Sequence, residues 1–151
     1  MNDYNEFLTT KLSLHEACGI SDEHADMRSL FPHQAALTKW ALRKGRAAIF
    51  ADTGLGKTRM QLVWADAIHR ATGLDVLILA PLAVAEQTCA EGEYIGVRVA
   101  HCRDGSEVGN GISITNYDRL HRFDSGRFGH CPPLSPRCHP KRPTAGLMRS
   151  Q

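Results

Sequence analysis

Residues 47–58 read AAIFADTGLGKT: a short apolar run, a glycine-bracketed turn, then Lys-Thr. A continuous apolar run of this length fits a strand buried on both faces, which favours a parallel sheet with helices packed against it. The turn also has a physical reading. Gly54 and Gly56 admit backbone torsions that bulkier residues resist, so successive N–H groups are free to face inward. A helix opening near Lys57 adds the positive end of its dipole at the same point. Lys57 is placed to reach the outer phosphates of a nucleotide, and Thr58 to present a hydroxyl to Mg2+. Thr53, Gly54, Leu55, Gly56, Lys57 and Thr58 are therefore the candidate phosphate-binding residues, and Thr58 is also the candidate metal ligand. The strict pattern G-x-x-x-x-G-K-[ST] has a glycine where this chain has Ala51.

The flanking sequence agrees with an α/β organisation. Apolar spacing predicts helices over 4–18, 32–44, 57–73 and 82–94. In 32–44, Pro32 suits the first turn, Ala36, Leu37, Trp40 and Ala41 form the expected inward face, and Gly45 ends the helix. In 57–73 the corresponding face is Met60, Val63, Trp64, Ala67 and Ile68, closed by Gly73. DVLILAP (75–81) reads as a second buried strand, VRVAH (97–101) as a strand nearer an edge, and ISITNY (112–117) as a further strand. A helical DRLHRF segment follows, and the pattern ends near Phe128. Strands and helices alternating through short connections predict a mostly parallel sheet flanked by helices.

From Gly129 the character changes. Five of the seven prolines lie beyond that point, no Asp or Glu occurs after Asp124, and no periodicity survives. Such a segment does not bury enough apolar surface to offset its ordering entropy, so 129–151 is expected to be a disordered tail. A frameshift at this point is one expected origin of the change. The division expected is an N-terminal helical extension (1–29), a nucleotide-binding lobe (30–128) and the tail (129–151).

A net charge of +2 is too small to argue for a nucleic-acid partner from bulk electrostatics. No apolar run approaches the ~18 residues of a membrane span, and the N-terminus lacks the apolar core of a secretory signal, so no membrane contact and a cytoplasmic location are expected. Five cysteines, an odd number, in such a chain are expected to be reduced thiols. Cys131 and Cys138, near His130 and His139, lack the C-x2-C spacing of a zinc site.

ADTGLGKT (51–58) resembles motif I of superfamily-two helicases and translocases, A-x-x-G-x-G-K-T, which accounts for Ala51. The variant is similar to that of Swi/Snf-type translocases and of phage and bacterial DEAD/DEAH-box helicases. LFPHQAALTKWAL (30–42) resembles the glutamine-bearing segment that precedes motif I. By that resemblance Gln34 reads the adenine edge, for which a carboxamide supplies both a donor and an acceptor. LILAPLAVAEQT (77–88) is similar to motif Ia, with Pro81, Leu82 and Gln87 matching residues that approach a nucleic-acid backbone. SITNYDRL (113–120) resembles the next segment, in which Thr115 and Asn116 would meet phosphates. The resemblance implies an incomplete RecA-like P-loop NTPase lobe that binds ATP with Mg2+. It also implies a nucleic-acid partner, DNA more than RNA.

The family next requires an apolar strand ending in Asp-Glu, which holds Mg2+ and orients the attacking water. After RFDSGRFG this chain reads HCPPLSPRCHP instead. The second lobe of the family, with its arginine fingers, is also missing, so no catalytic residue is assigned. Hydrolysis and unwinding are not expected of this chain alone, and a separate chain carrying the second lobe is one expected partner. Related folds place later strands beside the P-loop strand, so AAIFA is expected to lack neighbours. A small P-loop kinase and a non-enzymatic nucleic-acid-binding or partner-binding module are the alternatives.

Overall fold

A computed structural model describes residues 17–128 of the chain. Among the described residues, three α-helices, α1 (Pro32–Lys44), α2 (Lys57–Thr72) and α3 (Leu82–Ile95), accompany three strands, β1 (Val76–Leu79), β2 (Val99–His101) and β3 (Ile112–Thr115). The strands form one parallel sheet in the order β1-β3-β2. The α/β class with a parallel sheet and flanking helices, expected from the alternation of patterns, is the one observed. The tail over 129–151 lies outside the described residues, as does the helix over 4–18 except for Ala17 and Cys18, which are not helical.

β1 and β3 bury every residue: β1 is a continuous apolar run, as expected when both faces are covered, and β3 buries Ser113 and Thr115 along with its two isoleucines. Their register sets Val76 beside Ile112 and Ile78 beside Ile114. These four pack into the main core with Leu42 of α1, Leu62, Ala65 and Ile68 of α2, and Ala85 of α3. Leu77 and Leu79, pointing the other way, pack with Cys102, Val108 and Phe128, and Phe123 borders them. Side chains from the loops after β2 and β3 thus cover the second face. β2 is exposed or half-buried along its length, in keeping with its expected place at an edge. The DRLHRF segment forms a 3-10 helix, Tyr117–Arg122, rather than an α-helix.

The end of the described chain is tied to the start of β1. Phe128 forms an isolated parallel bridge with Asp75. The Asp75 carboxylate accepts the Gly111 N–H at 2.9 Å and Arg127 Nε at 3.0 Å, and Arg127 also donates to the Val108 carbonyl at 2.6 Å. Burial pushes the Asp75 carboxyl upward, but the Gly111 N–H and the Arg127 guanidinium outweigh it and hold it below the ordinary carboxylate range.

Residues 17–29 pack on the lobe. The N–H groups of Cys18, Gly19 and Ile20 donate to the carbonyls of Lys44, Arg43 and Leu42 at 3.3, 3.1 and 2.9 Å. They satisfy acceptors that the end of α1 leaves open. Ile20 enters the main core, and Ala25 and Met27 pack against it. Asp22 accepts from Arg43 at 2.8 Å.

Two expectations are corrected. The inward residues of α1 are Gln34, Thr38, Ala41 and Leu42. Ala36, Leu37 and Trp40 are exposed, so Ala41 alone of the expected face is buried. The inward face includes two polar residues, each hydrogen-bonded inside the protein, and apolar spacing does not detect such a face. The second correction concerns AAIFA (47–51), which is not a strand, and Phe50 is 91% exposed. An apolar run becomes a strand only where another strand pairs with it. Among the described residues, none runs beside 47–51, the situation expected if its neighbours come from later sequence.

Candidate functional site

α2 ends at Thr72 and β1 begins at Val76, so a three-residue connection reverses the chain between a helix and a strand that pack together. The N-terminus of α2 therefore lies toward the carboxyl end of β1. In open α/β sheets the carboxyl ends of parallel strands are where ligands gather. The glycine loop and the Pro81 and Asn116 turns belong to that end of the molecule.

The loop is built by its glycines. Gly54 has φ +82° and Gly56 φ +73°, the left-handed region that favours glycine. Gly56 is the N-cap of α2 and has no side chain to satisfy the first N–H groups of the helix. Those donors, with the dipole of a 16-residue helix behind them, form an anion-attracting end. Thr53 and Leu55 are exposed, whereas Lys57 and Thr58 are half-buried in the first turn of α2.

The Lys57 ammonium folds back over the loop, donating to the Ala51 carbonyl at 2.9 Å and the Asp52 carbonyl at 3.0 Å. Asp52 shapes the first half of the turn: its carboxylate accepts the Thr53 N–H at 2.8 Å and the Thr53 hydroxyl at 3.2 Å. These two bonds, with the nearby Lys57 charge, hold the Asp52 carboxyl below its ordinary range. Asp52 was not among the sequence candidates, although an Asp before Thr-Gly is a recognisable side-chain-to-backbone turn signal.

Gln34 reaches the loop from α1. It is 4% exposed. Its Oε1 accepts the Phe31 N–H at 3.0 Å, and its Nε2 donates to the Leu55 carbonyl at 3.0 Å. The structure therefore brings the expected adenine reader and the phosphate loop into direct contact. Arg59, in the first turn of α2, was also missed from sequence. It pairs with Glu91 and lies 5.3 Å from the ring centroid of Tyr94, joining α2 to α3.

The candidate nucleic-acid residues fall into two groups. Pro81 and Leu82 are exposed at the turn after β1, and Gln87 is exposed further along α3. The Ala80 N–H donates to the Thr115 carbonyl at 3.0 Å, so the ends of β1 and β3 lie side by side. Thr115 is fully buried, and its hydroxyl and the Asn116 side-chain carbonyl oxygen have no hydrogen-bond partner. Pro81, Leu82, Thr115 and Asn116 are thus brought together, while Gln87 stands apart from them on α3.

The donor set suits a phosphorylated ligand. Thr58 carries a single side-chain oxygen, which would be the usual protein share if phosphates and water completed a Mg2+ shell. No group of three or more His, Cys, Asp or Glu side chains among the described residues is arranged to hold a metal ion by itself. No helix among them is long and apolar enough to cross a membrane. Comparison with protein-family models, with curated proteins and with solved structures gave no match.

Proposed function

We propose that residues 53–58 bind the triphosphate of ATP with Mg2+. We further propose that the chain is the ATP-binding part of an ATP-dependent helicase or translocase acting on nucleic acid, DNA more than RNA. The observation that carries this reading is the Lys57 cation folded over the glycine loop. The Lys57 ammonium, held by only two loop carbonyls, stands beside the open N-terminus of α2 and needs a short swing to meet a phosphate. Thr58 would supply the oxygen for Mg2+, and Mg2+ would neutralise charge on the phosphates. Residues 116–151 contain no adjacent Asp-Glu pair, so residues 1–151 by themselves would hold nucleotide without supplying the carboxylates that hydrolysis needs. A separate chain carrying the second lobe would complete the cleft.

The test is titration of the 151-residue chain with ATP and Mg2+, beside the Lys57→Ala variant. Losing a charged hydrogen-bonding partner should weaken binding by about ten- to a hundredfold. Equal affinity in the two proteins would remove the phosphate role from this loop.

A further inference from the structure

We propose that the outward face of α1 is a docking surface for this chain's own N-terminal segment, residues 4–16, held there as an amphipathic helix. The inference stands apart from the nucleotide reading above and does not depend on it.

α1 is apolar on the side turned away from the core. Ala36, Leu37 and Trp40 fall at i, i+1 and i+4, in one stripe of the helix surface. Trp40 is 45% exposed and Leu37 38%, and Ala36 is exposed with them. Apolar residues scattered singly on a surface need no explanation, but an indole with two aliphatic neighbours in one stripe marks a face built to be covered. The stripe borders an open groove lined by Ala17, Ala36, Lys39, Trp40, Arg43 and Lys44.

The occupant follows from where the chain enters this groove. Ala17 is the first described residue and part of the groove wall. The strap after it is fixed to the end of α1 through the N–H groups of Cys18, Gly19 and Ile20. Glu16, bonded to Ala17, therefore starts at the groove. In the segment before it, Tyr4, Phe7, Leu8 and Leu12 recur at i, i+3, i+4 and i+8, so a helix over these residues would carry an apolar stripe of its own. Residues 4–16 equal in number the 13 residues of α1, and a helix of that length spans roughly 20 Å. The two stripes would match along their whole length.

Charge agrees with this occupant. The segment carries Asp3, Glu6 and Glu16 against Lys11. The groove carries Lys39, Arg43 and Lys44. Asp22 takes Arg43 at 2.8 Å and Lys39 at 3.7 Å, so one carboxylate faces three cations and the rim keeps a positive excess. The covalent tether adds a further advantage, since a short link gives its segment an effective concentration on the order of millimolar, which a separate partner lacks.

The test is reciprocal and uses the full chain. Trp40 and Trp64 are the two tryptophans, so Trp64→Phe leaves Trp40 as the reporter. In that background, Phe7→Ser combined with Leu8→Ser should shift Trp40 emission to the red and raise its quenching by acrylamide. In the chain that keeps Trp64, Trp40→Asp should speed amide exchange over residues 4–14 by about tenfold or more, because so short a helix is marginal in water once undocked. This second arm decides the question even where Trp64→Phe weakens the fold. Amides of β1 should exchange as in the parent, and the parent should sediment as a monomer. If Trp40 ignores the Phe7 and Leu8 changes, and residues 4–14 ignore Trp40→Asp, the proposal is overturned. Coupling that appears only in a sedimenting dimer overturns it in favour of the segment of a second copy. A single-stranded oligonucleotide that shields Trp40 while residues 4–14 exchange freely overturns it in favour of a nucleic-acid surface.

Discussion

Gly56→Ala isolates the contact on which the loop depends. Two costs act at this position. An L residue at φ +73° loses roughly 1–2 kcal/mol relative to its preferred backbone. The new methyl also displaces the Gln34 amide, 2.3 Å away. Because that neighbour is the end of a side chain, it swings aside and forfeits its bond to the Leu55 carbonyl, worth about 0.5–1.5 kcal/mol. Reduced freedom of the unfolded chain returns roughly 0.4–1 kcal/mol. The net loss is about 0.5–3 kcal/mol. Gly54→Ala, with a similar φ and empty space around the methyl, should cost about 1 kcal/mol less than Gly56→Ala. Urea unfolding of both variants measures that gap, and repeating both in a Gln34→Ala background closes a double-mutant cycle. With Gln34 removed, the two alanines should cost the same within about 0.5 kcal/mol. A gap that persists without Gln34 refutes the assignment of the close contact.

Other variants probe the remaining features. Phe50→Ala should change stability by less than about 0.5 kcal/mol in urea unfolding, as for an exposed site; a loss of about 3–5 kcal/mol would show that 47–51 is packed after all. Asp75→Asn should cost about 1–2 kcal/mol at neutral pH, since Arg127 is partly exposed. The Asp75 carboxyl is held below its ordinary value, so its contribution is full above the unfolded pKa near ~3.9 and is lost as pH falls through the lower folded value. Stability of the parent should therefore drop more steeply with acid below about pH 4 than that of Asp75→Asn, and parallel acid profiles would contradict this.

The parts legible from sequence were those set by local pattern. β1 was readable because its four-residue apolar run is buried on both faces, and β3 because Ile112, Ile114 and Thr115 are β-branched residues that suit a strand. The spans of α1 and α2 were readable from Pro32, Gly45 and Gly73 at their ends. The parts that escaped depend on distant partners. The run 47–51 has strand composition, yet pairing is a property of two segments, and the second is not among the described residues. The inward face of α1 was misassigned because Gln34 and Thr38 are buried through hydrogen bonds, and an apolar count scores such residues as solvent-facing. At the candidate site, glycine positions and Lys-Thr were plain in the sequence. The Gln34–Leu55 bond was not, because no spacing rule links residues 21 apart.

The three N–H groups that close the end of α1 also define where a cooperative fragment has to begin. A Cβ at Gly19 would sit 1.7 Å from the Leu42 carbonyl, so the 18–20 strap lies directly against helix backbone. A fragment cut at residue 30, where the recognisable motifs start, would lose the strap and Ile20 together. The last turn of α1 would then fray toward water. Fraying from that end runs along the same helix that holds Gln34 against the glycine loop. The minimal unit that keeps the loop in shape is therefore drawn by the partners of Leu42, Arg43 and Lys44 rather than by the motif boundary, and it starts no later than Cys18.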